Sequence, residues 1–221
     1  MTTRHNHNVS PVNISFTEEV ASGIYLIGFP RSFQFEAGQV IGIALEETGA
    51  RRLYSICSGE NDEHIQNLDN VIDEGYLTPR LSDLETGDTI WITEPRGEFT
   101  CNEERAVWIA TGTGIAPFYS MLRSGKGENK ILIHGNRYLE QFMFYDEFSE
   151  KSGVSYIRCC TAETDEGVYH GRVTAYLGEK QLPDPGLKYY LCGSAEMVVD
   201  TRDLLIEKGI PFDQIVSEIY F

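Results

Sequence analysis

The chain has 221 residues, 41% of them hydrophobic and 11% aromatic, and carries a formal charge of −16 at neutral pH. That length supports two small folded units with real cores, while the acidic balance disfavours nucleic acid or an anionic membrane as a partner. No apolar run approaches the roughly 18 residues of a membrane helix, and the opening MTTRHNHNVS lacks the apolar core of a signal peptide, so a cytoplasmic protein is expected. The five cysteines, Cys57, Cys101, Cys159, Cys160 and Cys192, are an odd count without CxxC spacing. They argue against a disulfide framework, a zinc site or a cysteine-held iron–sulfur cluster.

In chain order, residues 1–10 read as a flexible tail. Short alternating runs follow, VNISF, GIYLIGF, QVIGIAL, RRLYSIC and DTIWITEP, spaced by glycine-containing turn signals. Such runs predict an antiparallel β-barrel or sandwich over residues 11–102, with LTPRLSDL as its only helix-like piece. Cys101 to Arg105 reads as the linker. Beyond it, buried-strand runs AVWIA, KILIHG, VSYIRCC and KYYLCG alternate with helix-like stretches IAPFYSMLR, QFMFYDEFSEK and SAEMVVDTRDLLIEKG, and IVSEIYF closes the chain. The 103–221 half therefore reads as an α/β domain around a parallel sheet. Adjacent Cys159 and Cys160 fall on opposite faces of a strand.

Four segments carry chemistry. In RLYS, Arg52 and Tyr54 share a face and Ser55 ends the strand; a planar guanidinium suits a diphosphate, a ring suits a flat heterocycle, and a hydroxyl can bond a ring nitrogen. The same pattern also fits plain decoration of an exposed strand. GYLTPRL places Thr78 as an N-cap with Pro79 at the first helical position, a helix start that offers N–H groups to an anion. ATGTGIAPF opens a helix after a buried strand. Gly112 and Gly114 allow close backbone approach there, although Pro117 replaces the third glycine of a dinucleotide fingerprint. YYLCGSAEM sets Cys192 and Gly193 at another strand end, where a buried cysteine is also compatible with simple packing.

Taken together, RLYS, GYLT, ATGTGIAP, CGSAEM and EIYF, in this order over residues 12–221, resemble the ferredoxin–NADP⁺ reductase superfamily, and within it the bacterial ferredoxin or flavodoxin–NADP⁺ reductases. The resemblance implies an FAD-binding barrel followed by a nicotinamide-dinucleotide-binding domain, with hydride passing between nicotinamide C4 and flavin N5. It implies that Arg52 holds the flavin diphosphate, Tyr54 packs on the isoalloxazine and Ser55 reaches N5. Tyr76, Leu77 and Thr78 would bind the diphosphate, with Asp69, Asn70 and Val71 alongside. Gly112, Thr113, Gly114 and Pro117 would carry the coenzyme diphosphate, Cys192 would lie near the nicotinamide, and Gly193 and Met197 would shape its pocket. Glu218 matches a carboxylate beside the flavin. Tyr220 matches an aromatic lid on the isoalloxazine, with Phe221 packing nearby.

For the coenzyme, Arg137 in HGNRY and Arg172 in GRV match basic positions of NADP-binding members, but the Ser-Arg-Glu triplet reads Thr161-Ala162-Glu163. The expectation is therefore NAD(P)H, with the two remaining arginines favouring NADPH. The expected partner is a small electron carrier such as ferredoxin or flavodoxin. The alternatives are a small acceptor such as free flavin or quinone, or a non-enzymatic flavin-binding sensor or subunit. Residues 1–105 hold seven basic against eighteen acidic side chains, a formal −11, and residues 106–221 eleven against sixteen, or −5. A barrel of that charge departs from the basic docking patches by which this family attracts acidic carriers.

Overall fold

A computed structural model describes residues 9–71, 76–149, 153–180 and 184–220. Residues 1–8 of the expected tail, Gly75 and Phe221 lie outside that set. Pairing begins inside the expected tail, since Val9 and Ser10 face Thr93 and Ile92 across an antiparallel ladder.

Among the described residues, the first half is built from seven strands, β1 (Val9–Asn13), β2 (Phe16–Ala21), β3 (Ile24–Pro30), β4 (Val40–Ala44), β5 (Arg52–Ser55), β6 (His64–Asn70) and β7 (Thr89–Thr93), with one helix, α1 (Thr78–Ser82), between the last two. They form two antiparallel sheets, ordered β1-β7-β4-β5 and β2-β3-β6, which an isolated bridge from Ile56 to Asn67 connects. Ile27, Ile41, Ile43, Ile56, Ile65, Ile90 and Ile92 fill the interior with Leu77 and Leu81 of α1. VNISF is two strand ends rather than one strand, because the chain turns at Ile14 and Ser15 between β1 and β2. β6 is absent from the apolar runs for a physical reason. On the face it shares with Ile65, the next two positions are Asn67 and Asp69, so the period-2 signal disappears.

The second half contains β8 (Ala106–Thr111), α2 (Ala116–Arg123), β9 (Lys130–Asn136), α3 (Tyr145–Ser149), β10 (Ser155–Cys160), β11 (Val168–His170), α4 (Val173–Glu179), β12 (Lys188–Ser194), α5 (Ala195–Glu207) and β13 (Ile215–Tyr220). All six strands are parallel, in the order β11-β10-β9-β8-β12-β13. Central β8 is apolar on both faces, as a strand covered from both sides must be. Val107 and Ile109 meet α4 and α5, while Trp108 and Ala110 meet α2 and α3. The helix expected over QFMFYDEFSEK shrinks to α3 plus a 3-10 turn at Leu139–Gln141. Phe144 interrupts it with φ of 59°, a conformation costly for a bulky side chain. Its ring is stacked on Tyr119 at 3.6 Å between centroids.

The two halves share one apolar cluster. Ile24, Leu26 and Leu68 of the barrel and Phe99 of the connector pack with Trp108, Phe118 and Tyr190. Polar contacts fasten its rim: Ser120 Oγ donates to the Ser58 carbonyl at 2.6 Å, Arg123 meets Asp62 at 2.9 Å and Lys126 meets Glu60 at 3.0 Å. Phe99 touches both sides, with its ring centroid 5.7 Å from that of Phe118 and 5.5 Å from that of Tyr190. Phe99→Ala is expected to cost about 3–5 kcal/mol and to weaken both halves together. Urea unfolding followed by circular dichroism should show one transition moved to lower urea; a split into two transitions would show that the cluster does not couple the halves.

Candidate functional site

β5 ends at the junction of the halves, where Ser55 is buried. Ser55 Oγ donates to Glu218 Oε1 at 2.5 Å and accepts from the Tyr220 hydroxyl at 2.7 Å. The two-residue period of β13 puts Glu218 and Tyr220 on one face. The β12–β13 register sets Glu218 opposite Cys192 and Tyr220 opposite Ser194. Cys192 lies close enough to raise the Tyr220 hydroxyl further, after burial has raised it. The four proposed catalytic side chains, Ser55, Cys192, Glu218 and Tyr220, are therefore brought into one cluster from three strands. Burial raises the Glu218 carboxyl above its ordinary range, opposed by the Ser55 hydroxyl. Burial, then the Glu218 charge, lifts the Cys192 thiol well above its usual value, so Cys192 stays protonated and is no nucleophile. Tyr220 is half-buried against the shared cluster, a position compatible with anchoring the last strand as well as with covering a ligand.

On the barrel side, Arg52 is exposed at the start of β5 and Tyr54 is half-buried against the barrel core. Asp69 and Asn67 lie buried on one face of β6, and Asp69 Oδ2 and both polar atoms of the Asn67 amide have no hydrogen-bond partner. Buried polar atoms without partners are costly. The unmet demand beside Tyr54, which feels the Asp69 charge, fits a polar ligand such as a flavin. Asn70 is exposed at the end of β6, and the Val71 N–H is occupied by the Gly23 carbonyl at 2.9 Å. Tyr76 is exposed, with the Arg80 guanidinium 4.3 Å above its ring centre. Arg80 is a cation that the sequence reading left unassigned. The expectation of Thr78 as N-cap is corrected. Leu77, already helical at φ −94° and ψ −48°, precedes the first helical residue Thr78 because its side chain is drawn into the barrel core. α1 itself is short, five residues from Thr78 to Ser82.

At the carboxyl ends of β8, β9, β10 and β12 lies a cleft of about 370 Å³, beside the switch point where the chain leaves β8 for β9 on one side and later returns to β12 on the other. Gly112, Thr113, Arg137, Thr161, Arg172 and Met197 line it, as the motifs predicted, and Asn70 reaches it from the barrel. Gly114, Pro117, Cys192 and Gly193 do not line it. Gly114 and Gly193 act beneath: a Cβ on Gly114 would strike the Cys192 carbonyl, and one on Gly193 would strike Thr111 Oγ1. Pro117 is buried in the first turn of α2. The turn after β8 is thereby nested against the end of β12, next to the Ser55 junction. Several nearby residues escaped the sequence reading, three of them ionisable. His134 is buried, with Nε2 3.2 Å from the Gly112 carbonyl and Nδ1 2.9 Å from the Tyr156 hydroxyl. Burial holds it down to about 4, hence neutral. Within apolar KILIHG it gave no signal. Glu196 and Asp200 also line the cleft, their carboxylates one and two turns beyond the quoted CG.

Burial pushes the Asp69 carboxyl up to about 7 from 3.8. The folded state therefore holds this proton more tightly than the unfolded chain does. Its contribution to stability is fully present below about pH 4 and is lost as pH rises through about 7. In flavin-free protein, Asp69→Asn should melt with wild type at pH 4 and above it at pH 8; parallel profiles would show that the carboxylate is solvated.

With this geometry, the chain was compared with known proteins. The family described as oxidoreductase NAD-binding domain matches residues 108–203. The flavodoxin/ferredoxin–NADP reductase of Escherichia coli (strain K12) is 32% identical over 192 residues, covering 76% of this chain and 77% of that protein. The reductase component of propane 2-monooxygenase from Rhodococcus jostii (strain RHA1) is 29% identical over 84% of this chain, which spans only 55% of that longer protein. Among solved structures, a ferredoxin NADP⁺ reductase from Neisseria gonorrhoeae with bound FAD and NADP shares the fold with a TM-score of 0.86 at 23% identity, covering 97% of this chain and 99% of that one. Antiparallel barrel, parallel sheet and motif order agree with the sequence match, and the chain belongs to the flavodoxin/ferredoxin–NADP reductase family.

Proposed function

We propose that the protein is an FAD-dependent oxidoreductase that takes electrons from NAD(P)H and delivers them to a small electron carrier. The observation that supports this most is proximity. The cleft lined by Gly112, Thr113, Arg137 and Arg172 begins at the turn whose Gly114 is packed on the Cys192 carbonyl, and the Ser55–Glu218–Tyr220 cluster stands at the same end of β12 and β13, so a dinucleotide in the cleft and a flavin on the barrel would be neighbours. When bound, the flavin supplies the chemistry of accepting a hydride and releasing electrons singly or in pairs.

On this reading the chain's own residues bind, orient and exclude water. Arg52 supplies a guanidinium for the flavin diphosphate, with Tyr76, Leu77 and Thr78 beside it. Tyr54 supplies an aromatic face, and Asp69, Asn70 and Val71 line the adjoining strand. Ser55 presents a hydroxyl held between Tyr220 and Glu218, and Glu218, inclined by burial to keep a proton, stands one hydrogen bond behind it. Gly112, Thr113, Gly114 and Pro117 form the coenzyme's diphosphate turn, while Arg137, Thr161 and Arg172 face its adenylate portion. Cys192, Gly193 and Met197 would bound the nicotinamide end, and Tyr220 would cover the flavin face.

A second acceptor class is favoured by one observation. The formal −11 of residues 1–105 repels an acidic ferredoxin or flavodoxin, which supports a small neutral acceptor such as free flavin or quinone.

Denatured protein should release FAD and not FMN, because Arg52 has a diphosphate to bind only in FAD, and anaerobic NADH or NADPH should bleach the flavin. A yellow protein that neither coenzyme bleaches would be a sensor or subunit instead. The reduced protein, offered ferredoxin, flavodoxin, free flavin and quinone in turn, then separates the acceptor classes by rate.

Tyr220→Ser tests the lid. Stacking contributes about 0.5–1.5 kcal/mol beyond area burial, so removing the ring should tighten oxidised-coenzyme binding by roughly two- to tenfold and slow turnover through late product release. Weaker binding together with a lower melting temperature would identify Tyr220 as an anchor alone.

A further inference from the structure

The cleft holds as many acids as arginines. Arg137 and Arg172 line it, but so do Glu196 and Asp200. Arg172 Nη1 lies 3.0 Å from Glu196 Oε1, with each side chain 71% exposed. Glu196 sits in the first turn of α5, whose N-cap Ser194 accepts from the Met197 N–H and sets the direction of that turn. Beside Arg137 stands Ala162, whose N–H donates to the Arg137 carbonyl at 2.9 Å. Its neighbour Glu163 accepts from the Leu139 N–H at 2.6 Å. Among the described residues, the cleft therefore holds one arginine already paired with a carboxylate and one that makes no ion pair, with an alanine bonded through its backbone to the second.

We infer that Glu196 is a coenzyme-selecting residue that sets the cleft against a 2′-phosphate and toward the free ribose hydroxyls of NADH. This rests on the proposed reading of the cleft as the coenzyme site. A 2′-phosphate carries nearly two negative charges, and binding it beside Arg172 means either displacing Glu196 or tolerating a like charge at the same guanidinium. A ribose meets neither obstacle, since the Glu196 carboxylate can accept from its hydroxyl groups. Counting arginines alone favours NADPH; the acids they face reverse the balance.

The test uses the flavin-loaded protein and calorimetry with adenosine 5′-monophosphate and its 2′-phosphorylated form, which report the adenylate end without any turnover. Wild type should bind the 2′-phosphorylated nucleotide no more tightly than the plain one. Glu196→Gln should bind it about tenfold more tightly, an effect of the order expected for one nearby charge in a solvated cleft. The gain should shrink as salt is raised, and plain adenylate should bind no more tightly than to wild type, since its ribose hydroxyls exchange a charged acceptor for a neutral one. The NADPH to NADH ratio of kcat/KM should rise by the same factor, and adding Ala162→Arg should raise it again. An unchanged or weakened 2′-phosphate affinity in Glu196→Gln overturns the inference, leaving Glu196 as a residue that merely orients Arg172. If neither coenzyme reduces wild-type flavin, the proposed function falls and this inference with it; reduction by both with an unaltered ratio sinks the inference alone.

Discussion

Every functional feature of this protein depends on the apolar cluster that presses the barrel against the parallel sheet. Trp108 and Ala110 point from the central strand toward α2, and Ile24, Leu26 and Leu68 reach them from the barrel, with Phe99 seated between Phe118 and Tyr190. The ends of β5 and β13 meet beside that cluster, so Ser55 finds Glu218 and Tyr220 more than 160 residues away in sequence. A hydroxyl held by two partners has one orientation, whereas a free one rotates. Hydrophobic packing, itself non-directional, is what makes this directional contact available.

The polarity of the junction follows from its burial. Glu218 and Cys192 are both driven toward their neutral forms by desolvation, as fits a buried place where fixed charge is expensive. Asn67 and Asp69 tell the same story from the other side. They are buried, and neither amide atom of Asn67 nor Asp69 Oδ2 has a partner in the polypeptide. Native structures rarely leave such atoms unsatisfied, so these residues mark where the fold expects something other than protein.

Charge is distributed unevenly and for two separable purposes. The cleft at the strand ends sets two arginines among two acids, with Arg172 and Glu196 3.0 Å apart. The excess acidity of the barrel acts at longer range, within a Debye length of about 8–10 Å at moderate salt, and bears on which acceptors approach. The first is a matter of individual contacts, Arg172 to Glu196 above all, and the second of net field.

The sequence by itself determined the two-part architecture, because alternating runs in one half and uniformly apolar runs in the other reflect how many faces of each strand are covered. It also brought Gly112, Thr113, Arg137, Thr161, Arg172 and Met197 to one cleft, since they follow strand ends whose position comes from the βαβ pattern. Elements whose inward positions are polar stayed hidden, as β6 did with Asn67 and Asp69, and so did interruptions that depend on a distant partner, as when Phe144 turns left-handed to lie on Tyr119. Only the tertiary structure decided that Leu77 rather than Thr78 precedes α1, since the barrel core claims the leucine side chain. Only it placed Glu196 on Arg172 and His134 under Gly112. Those pairings join residues separated by 24 and 22 positions, and local periodicity carries no record of which side chains a folded sheet will set face to face.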